Sequence, residues 1–158
     1  MARVPLIIHE RLGSWARQLR PRTVGWPVRI IETRSTADLE AALAHSACPL
    51  VLIDLADRPR SGLDDLDCAL RTASNALVLV LDSGTHAAAP ALARELGAAH
   101  VLVGVVPPPA VAGLLARWVP LAQHRSESDG WARAPEPEPE PWDRFALVGA
   151  GFTPVARP

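Results

Sequence analysis

Apolar positions along the first 125 residues follow two alternating periods. Five short runs, at residues 4–8, 27–31, 49–53, 76–81 and 101–106, carry almost no polar interruption and read as buried strands rich in Val, Ile and Leu. Between them apolar residues recur every three or four positions, as helices with one packed face require. The first such segment, residues 11–19, aligns Leu12, Trp15, Ala16 and Leu19. A second begins after Ser35 or Thr36, either of which suits a helix cap. It turns Leu39, Ala42 and Leu43 inward and carries Asp38 and Glu40 in its first turn. Residues 63–72 align Leu63, Leu66 and Leu70, and residues 88–96 end at Gly97, a C-cap residue. The last helix, residues 108–124, presents Val111, Leu114, Leu115, Trp118 and Leu121 as a wide face, with Pro120 expected to kink or shorten it.

Strand–helix alternation repeated five times, with apolar strands throughout, predicts a three-layer α/β fold. Its centre is a doubly wound five-stranded parallel sheet covered on both faces. Such sheets place ligands at the carboxyl ends of the strands, beside the point where strand order reverses. The residues that follow each strand are therefore the candidates for chemistry. These are His9 and Glu10 after the first, Asp54 after the third, Asp82 and Ser83 after the fourth, and Val106 and Pro107 after the fifth. Acids collect at one edge of the sheet. The stretch Ser83-Gly84-Thr85-His86 sets a hydroxyl near a base, but a loop or N-cap into the next helix explains it more simply.

Composition narrows the class. A chain of 158 residues fits one domain with length to spare, and needs neither metal nor disulfide to bury a core. Aromatics make up only 4%, so that core is built of Leu, Val, Ile and Ala. A formal net charge of −1 gives no global electrostatic reason to expect nucleic acid or a membrane as partner. All 16 basic residues are Arg, which removes any step that requires a Lys amine. Cys48 and Cys68 follow no metal-binding spacing and read as two buried thiols of a cytosolic protein. The apolar run at residues 4–8 is too short for a signal peptide, and no segment nears the ~20 apolar residues of a membrane span, so a cytoplasmic location is expected.

With these elements in this order, residues 3–125 resemble the receiver domain of bacterial response regulators, a flavodoxin-like fold. The receiver pattern has an acidic pair after the first strand, here His9-Glu10, and a phosphoacceptor Asp ending the third, here Asp54. A Pro and a Gly follow in the next loop, here Pro59 (one place late) and Gly62. Gly97-Ala98 matches the element before the fifth strand. The departures fall in the chemistry. The hydroxyl position after the fourth strand holds Asp82, the Lys position falls on Gly104 and the Pro position on Val105. Receivers bind a divalent cation through the acids and neutralise the phosphoryl group with the Lys. Like charges ~4 Å apart at an effective dielectric of ~20 repel by about 4 kcal/mol. A dianionic phosphoryl group beside Asp82 would meet that repulsion without the Lys.

The resemblance implies a non-enzymatic, phosphorylation-independent protein-interaction or adaptor domain in bacterial signalling, a pseudo-receiver with no cofactor. The alternative is a single-domain receiver phosphorylated at Asp54 with a divalent cation, Mg2+. In a metal-site reading His9, Glu10, Asp54 and Asp82 converge on the ion; in the other, each acid sits solvated at a strand end with Arg58 or Arg60 as counter-charge. The implied partner surface is the face of the fourth helix, fifth strand and fifth helix, with Leu96, Val111, Leu115 and Trp118 as contacts and a homodimer among the expected assemblies.

Composition changes at Ser126. Residues 126–141 form a Pro/Glu-rich linker, whose alternating stretch would span roughly 20 Å in polyproline II. Residues 142–158 form an apolar tail segment with Trp142, Phe145, Leu147 and Phe152 as anchors, for docking either on a partner or on the chain's own domain.

Overall fold

The computed structural model describes residues 3–55 and 58–132. Its strands are β1 (Val4–His9), β2 (Val28–Thr33), β3 (Leu50–Asp54), β4 (Leu77–Asp82) and β5 (His100–Val103). The helices between and after them are α1 (Ser14–Leu19), extended by a single 3₁₀ turn (Arg20–Arg22), then α2 (Thr36–Ala44), α3 (Pro59–Thr72), α4 (Ala89–Leu96) and α5 (Pro108–Ala132). All strand pairings are parallel, in the order β2-β1-β3-β4-β5. This is the flavodoxin-like order, with the reversal between β1 and β3.

The apolar strands are buried because each face of the pleat has its own helical layer. Leu6, Ile8, Leu50, Leu52, Leu79 and Leu81 point to one side, where Ala16 and Leu19 of α1 and Val111, Leu115, Val119 and Ala122 of α5 cover them. Ile7, Val51, Ile53, Val78 and Val80 point to the other side, against Leu39 and Leu43 of α2, Leu66 and Ala69 of α3, and Ala89 and Ala93 of α4. Each such Leu, Ile or Val contributes about 1.5–3 kcal/mol of burial. The three-layer α/β reading therefore holds, with its core divided by the sheet.

The start of α2 falls where expected, while several other boundaries differ, each for a local reason. Ser35 supplies the cap of α2: its hydroxyl accepts from the Asp38 amide. Helix α1 starts only at Ser14, because Gly13 takes a left-handed φ of 71° at its N-cap, and Leu12 stays 80% exposed outside the packed face. Strand β5 stops at Val103, before Gly104 with a φ of 83°. Helix α5 passes through Pro120 and continues to Ala132, into the segment assigned to the linker. Pro120 removes one donor on the exposed side, while Val119 and Ala122 keep both flanks of the helix on the core.

The same packing corrects the contact surface. Val111 and Leu115 are fully buried and cannot serve as partner contacts, because helical spacing places them on the face of α5 that covers the sheet. Cys48 is buried, with Sγ donating to the Asn75 carbonyl at 3.2 Å, whereas Cys68 is partly exposed rather than enclosed. The anchors Trp142, Phe145, Leu147 and Phe152, and the linker from residue 133 onward, lie outside the described residues.

Candidate functional site at the carboxyl edge of the sheet

Where strand order reverses, a cavity of about 540 Å³ opens at the carboxyl ends of β1, β3 and β4. His9, Glu10, Asp54, Arg58, Asp65 and His86 line it. Three of the four expected acid and His residues reach this cavity. Asp82 does not: it is wholly buried beneath it.

Glu10 is 4% exposed and its carboxylate is fully engaged. It accepts from the Ala16 amide at 2.7 Å, the Trp15 amide at 2.9 Å and the Ser14 hydroxyl at 3.1 Å. Gly13 at the N-cap has no side chain to cap α1, so Glu10 reaches over from the end of β1 and takes the amides of the second and third helical residues. A carboxylate at that helix end also suits the local dipole.

His9 is held on both ring nitrogens. Nε2 donates to Asp65 Oδ2 at 2.9 Å, and Nδ1 pairs with the Thr33 hydroxyl at 2.9 Å. Asp65 in turn accepts from the Thr36 hydroxyl at 2.6 Å. This chain of bonds ties β1, β2, α2 and α3 together in a largely buried setting. Buried polar groups must be bonded to be tolerated, and no described side-chain polar atom that is buried lacks a partner.

Asp82 forms a third closed unit. Its Oδ2 accepts from the His86 amide at 2.9 Å and its Oδ1 from the His86 ring Nδ1 at 2.7 Å. The carboxylate thus faces the β4–α4 loop rather than the cavity. Asp54, the last residue of β3, is partly exposed and borders the cavity with Arg58. Gly62 sits in the first turns of α3 directly against Leu55, where an added Cβ would lie 2.4 Å from Leu55 Cδ2. The close approach of α3 to the end of β3 explains that glycine.

No family model matches the chain, and no curated protein does. Solved structures resemble it over most of its length. The signal receiver domain of a repressor protein from Vibrio parahaemolyticus is 17% identical with a TM-score of 0.65, over 84% of this chain and 98% of that one. The chain has the receiver fold. A response regulator from Burkholderia pseudomallei, solved with a phosphorylated aspartic acid, calcium ion and citrate, is 17% identical with a TM-score of 0.58, over 83% and 75% of the two chains. A structure described as adenylate cyclase from Rhodopirellula baltica has a TM-score of 0.66 at 11% identity, over 84% and 99%.

Within the receiver fold the edge residues are arranged differently from the expected metal set. Among the described residues no group of three or more His, Cys, Asp and Glu side chains is placed to hold a metal ion. The physical reason is visible residue by residue. His9 spends both nitrogens on Thr33 and Asp65, Glu10 spends both oxygens on α1, and Asp82 spends both on His86. Nor are Glu10 and Asp82 solvated acids with arginine counter-charges: both are buried and bonded to donors from their own neighbourhood. The repulsion expected between Asp82 and a group on Asp54 is lessened accordingly, since the Asp82 oxygens point at His86 donors.

Two site residues escaped the reading of the sequence. Asp65 carried a signal: it lies three residues after Gly62 and four before Ala69, on the inner face of α3. A carboxylate at a core-facing helical position needs a buried partner. His86 was read as part of a cap, and what reveals its role is the distance of four residues from a carboxylate that closes a buried strand.

Proposed function

We propose that this chain is a non-enzymatic protein-interaction domain of receiver architecture in bacterial signalling, whose docking is independent of phosphorylation at Asp54. The observation that carries the reading is the internal commitment of the edge groups. Glu10 serves as a helix cap, His9 as a bridge between layers and Asp82 as the anchor of a loop. Position 104, where a receiver would carry its Lys, is a glycine at the end of an edge strand.

The contact surface is best placed on α4 and around β5. Leu92 and Leu96 are 44% and 39% exposed, and Val103 and Val105 are 48% and 97% exposed. Trp118 is half-buried against the core and contributes a flank rather than an anchor. The occupant is a protein, with a second copy of the chain as the first to test. Sedimentation equilibrium and crosslinking of the full chain, compared with Leu96→Asp and Val105→Asp, decide this. Loss of self-association or of a defined crosslink supports the surface. If neither variant changes either readout, the surface is wrong.

One observation favours a second reading, a receiver phosphorylated at Asp54 with Mg2+. Asp54 ends β3 beside an open cavity, and the Burkholderia neighbour carries a phosphorylated aspartic acid with calcium. Incubation with an acyl phosphate and Mg2+, read by intact mass, separates the two. A hydroxylamine-sensitive adduct lost in Asp54→Asn would establish the second reading.

A further inference from the structure

The β4–α4 loop holds a pair whose outer ring nitrogen the interaction reading leaves unused. Asp82 is 0% exposed and both its oxygens accept from His86. The ring's other nitrogen, Nε2, lies on the far side of the imidazole from the buried carboxylate and has no hydrogen-bond partner among the described residues. The His86 side chain is 30% exposed and borders both the edge cavity and a groove between α3 and α4 lined by Leu63, Leu92 and Leu96.

The backbone before it is strained. Thr85 has a φ of 52°, a left-handed conformation that L-residues enter at a cost of about 1–2 kcal/mol and that β-branched residues avoid. The neighbouring Gly84, which would tolerate it freely, does not take it. Strain of this kind persists where the surroundings over-determine it. Here the two bonds that return His86 to Asp82 do so.

A histidine whose Nδ1 proton is held by a buried carboxylate has one tautomer and one orientation, with the Nε2 lone pair outward. That is the arrangement of a nucleophile or proton acceptor. Arg11 and Arg58 border the same cavity, and guanidinium groups suit the oxygens of a phosphoryl group. We propose that Nε2 of His86 is a phosphoryl-accepting atom, served by small donors of the phosphoramidate class. The Nε2 lone pair forms the new N–P bond while the donor's P–N bond breaks. The donor nitrogen is already protonated, so it takes that electron pair and departs as ammonia. The ring keeps its Nδ1 proton and becomes a phosphoimidazolium, with its positive charge against the Asp82 carboxylate. This step goes beyond the interaction reading and does not depend on it.

The test is incubation of the full chain with potassium phosphoramidate, followed by intact mass and peptide mapping. The expected product carries one phosphoryl group on His86, is stable in base and to hydroxylamine, and is labile in acid. His45, His100 and His124, which lack a buried carboxylate behind the ring, serve as internal references and are expected to react far less. Asp82→Asn is expected to slow incorporation tenfold or more, and His86→Ala to abolish it, with thermal melts confirming that both variants fold. If a variant does not fold, the mapping on the unmodified chain decides alone. Absence of incorporation, a hydroxylamine-sensitive adduct on Asp54, equal labelling of all histidines, or an Asp82→Asn rate equal to wild type would each overturn the proposal.

Discussion

Replacing Glu10 by Ala tests whether this acid is a helix cap or a ligand kept for something else. The substitution removes the acceptor of three hydrogen bonds at the start of α1. Loss of a cap costs about 1 kcal/mol. A hydrogen bond to a charged group contributes about 1.5–3 kcal/mol, and a buried donor left unpaired costs about 1–3 kcal/mol. Ala16 is 1% exposed, so its amide is the donor that suffers most, whereas Ser14 can turn its hydroxyl to water. These contributions overlap, which brings the expected loss to about 2–4 kcal/mol. For a domain of this size that is a fall in melting temperature of roughly 8–15 °C. Tryptophan fluorescence follows it directly, since Trp15 lies in α1 and Trp26 packs on the same core. Glu10→Gln keeps the shape and one oxygen but sets an amide donor against donors, and is expected to lose about half as much. A melting temperature for Glu10→Ala within about 2 °C of wild type would refute the capping role. So would a Mg2+-dependent rise in wild-type stability that vanishes in Glu10→Gln, which would make the carboxylate a ligand instead.

Four further substitutions and reactions probe the same framework. Asp65→Ala withdraws the acceptor shared by His9 Nε2 and the Thr36 hydroxyl, and is expected to cost about 2–4 kcal/mol in urea unfolding. Gly62→Ala drives a Cβ to 2.4 Å from Leu55 Cδ2; overpacking of about 1–3 kcal/mol outweighs the roughly 1 kcal/mol gained in helix propensity, so a net loss of about 1 kcal/mol is expected. Gly104→Lys has open space for its Cβ but a φ of 83°, so its melt should report about 1–2 kcal/mol of backbone strain rather than a clash. Burial raises the Cys68 thiol above its ordinary range, with the Glu40 hydrogen bond and charge adding to the effect. Its thiolate is therefore scarce at neutral pH, and alkylation should lag an exposed reference thiol and quicken in Glu40→Gln.

The layers were readable because each strand announces itself without help from its neighbours. Residues such as Val51, Leu52 and Ile53 are apolar in succession, which only a sheet covered on both faces allows, and Leu39 and Leu43 or Val111 and Leu115 mark the covering helices by spacing alone. What the spacing does not reveal is how much of a helix face the sheet consumes. Val111, Leu115 and Trp118 are all apolar and all at helical intervals, yet the first two are enclosed and the third is only partly so. The position of a neighbouring layer decides this, and it is a tertiary fact. Pro120 does not end the helix for a related reason: its local penalty is real, but the packed residues on either side keep the helix going to Ala132.

The edge of the sheet posed a harder problem, because its acids are distinguished by their partners and not by their positions. Glu10, Asp54 and Asp82 each stand at the end of an apolar strand, and nothing within those strands separates them. Their roles depend on what comes several residues later. Gly13 cannot cap α1, which creates the vacancy that Glu10 fills. His86 stands one helical turn beyond Asp82 and claims both of its oxygens. Asp65 reaches the edge from α3, which Gly62 allows to lie close against Leu55. A strand-end acid in such a fold is therefore best judged by the loop that follows it. If that loop supplies donors within one turn, as after β1 and β4, the acid becomes part of the scaffold. After β3, α3 begins at Pro59 and brings Arg58 and Asp65 to the same cavity as Asp54. Asp54, the last residue of β3, is partly exposed at the cavity wall, whereas Glu10 and Asp82 are buried.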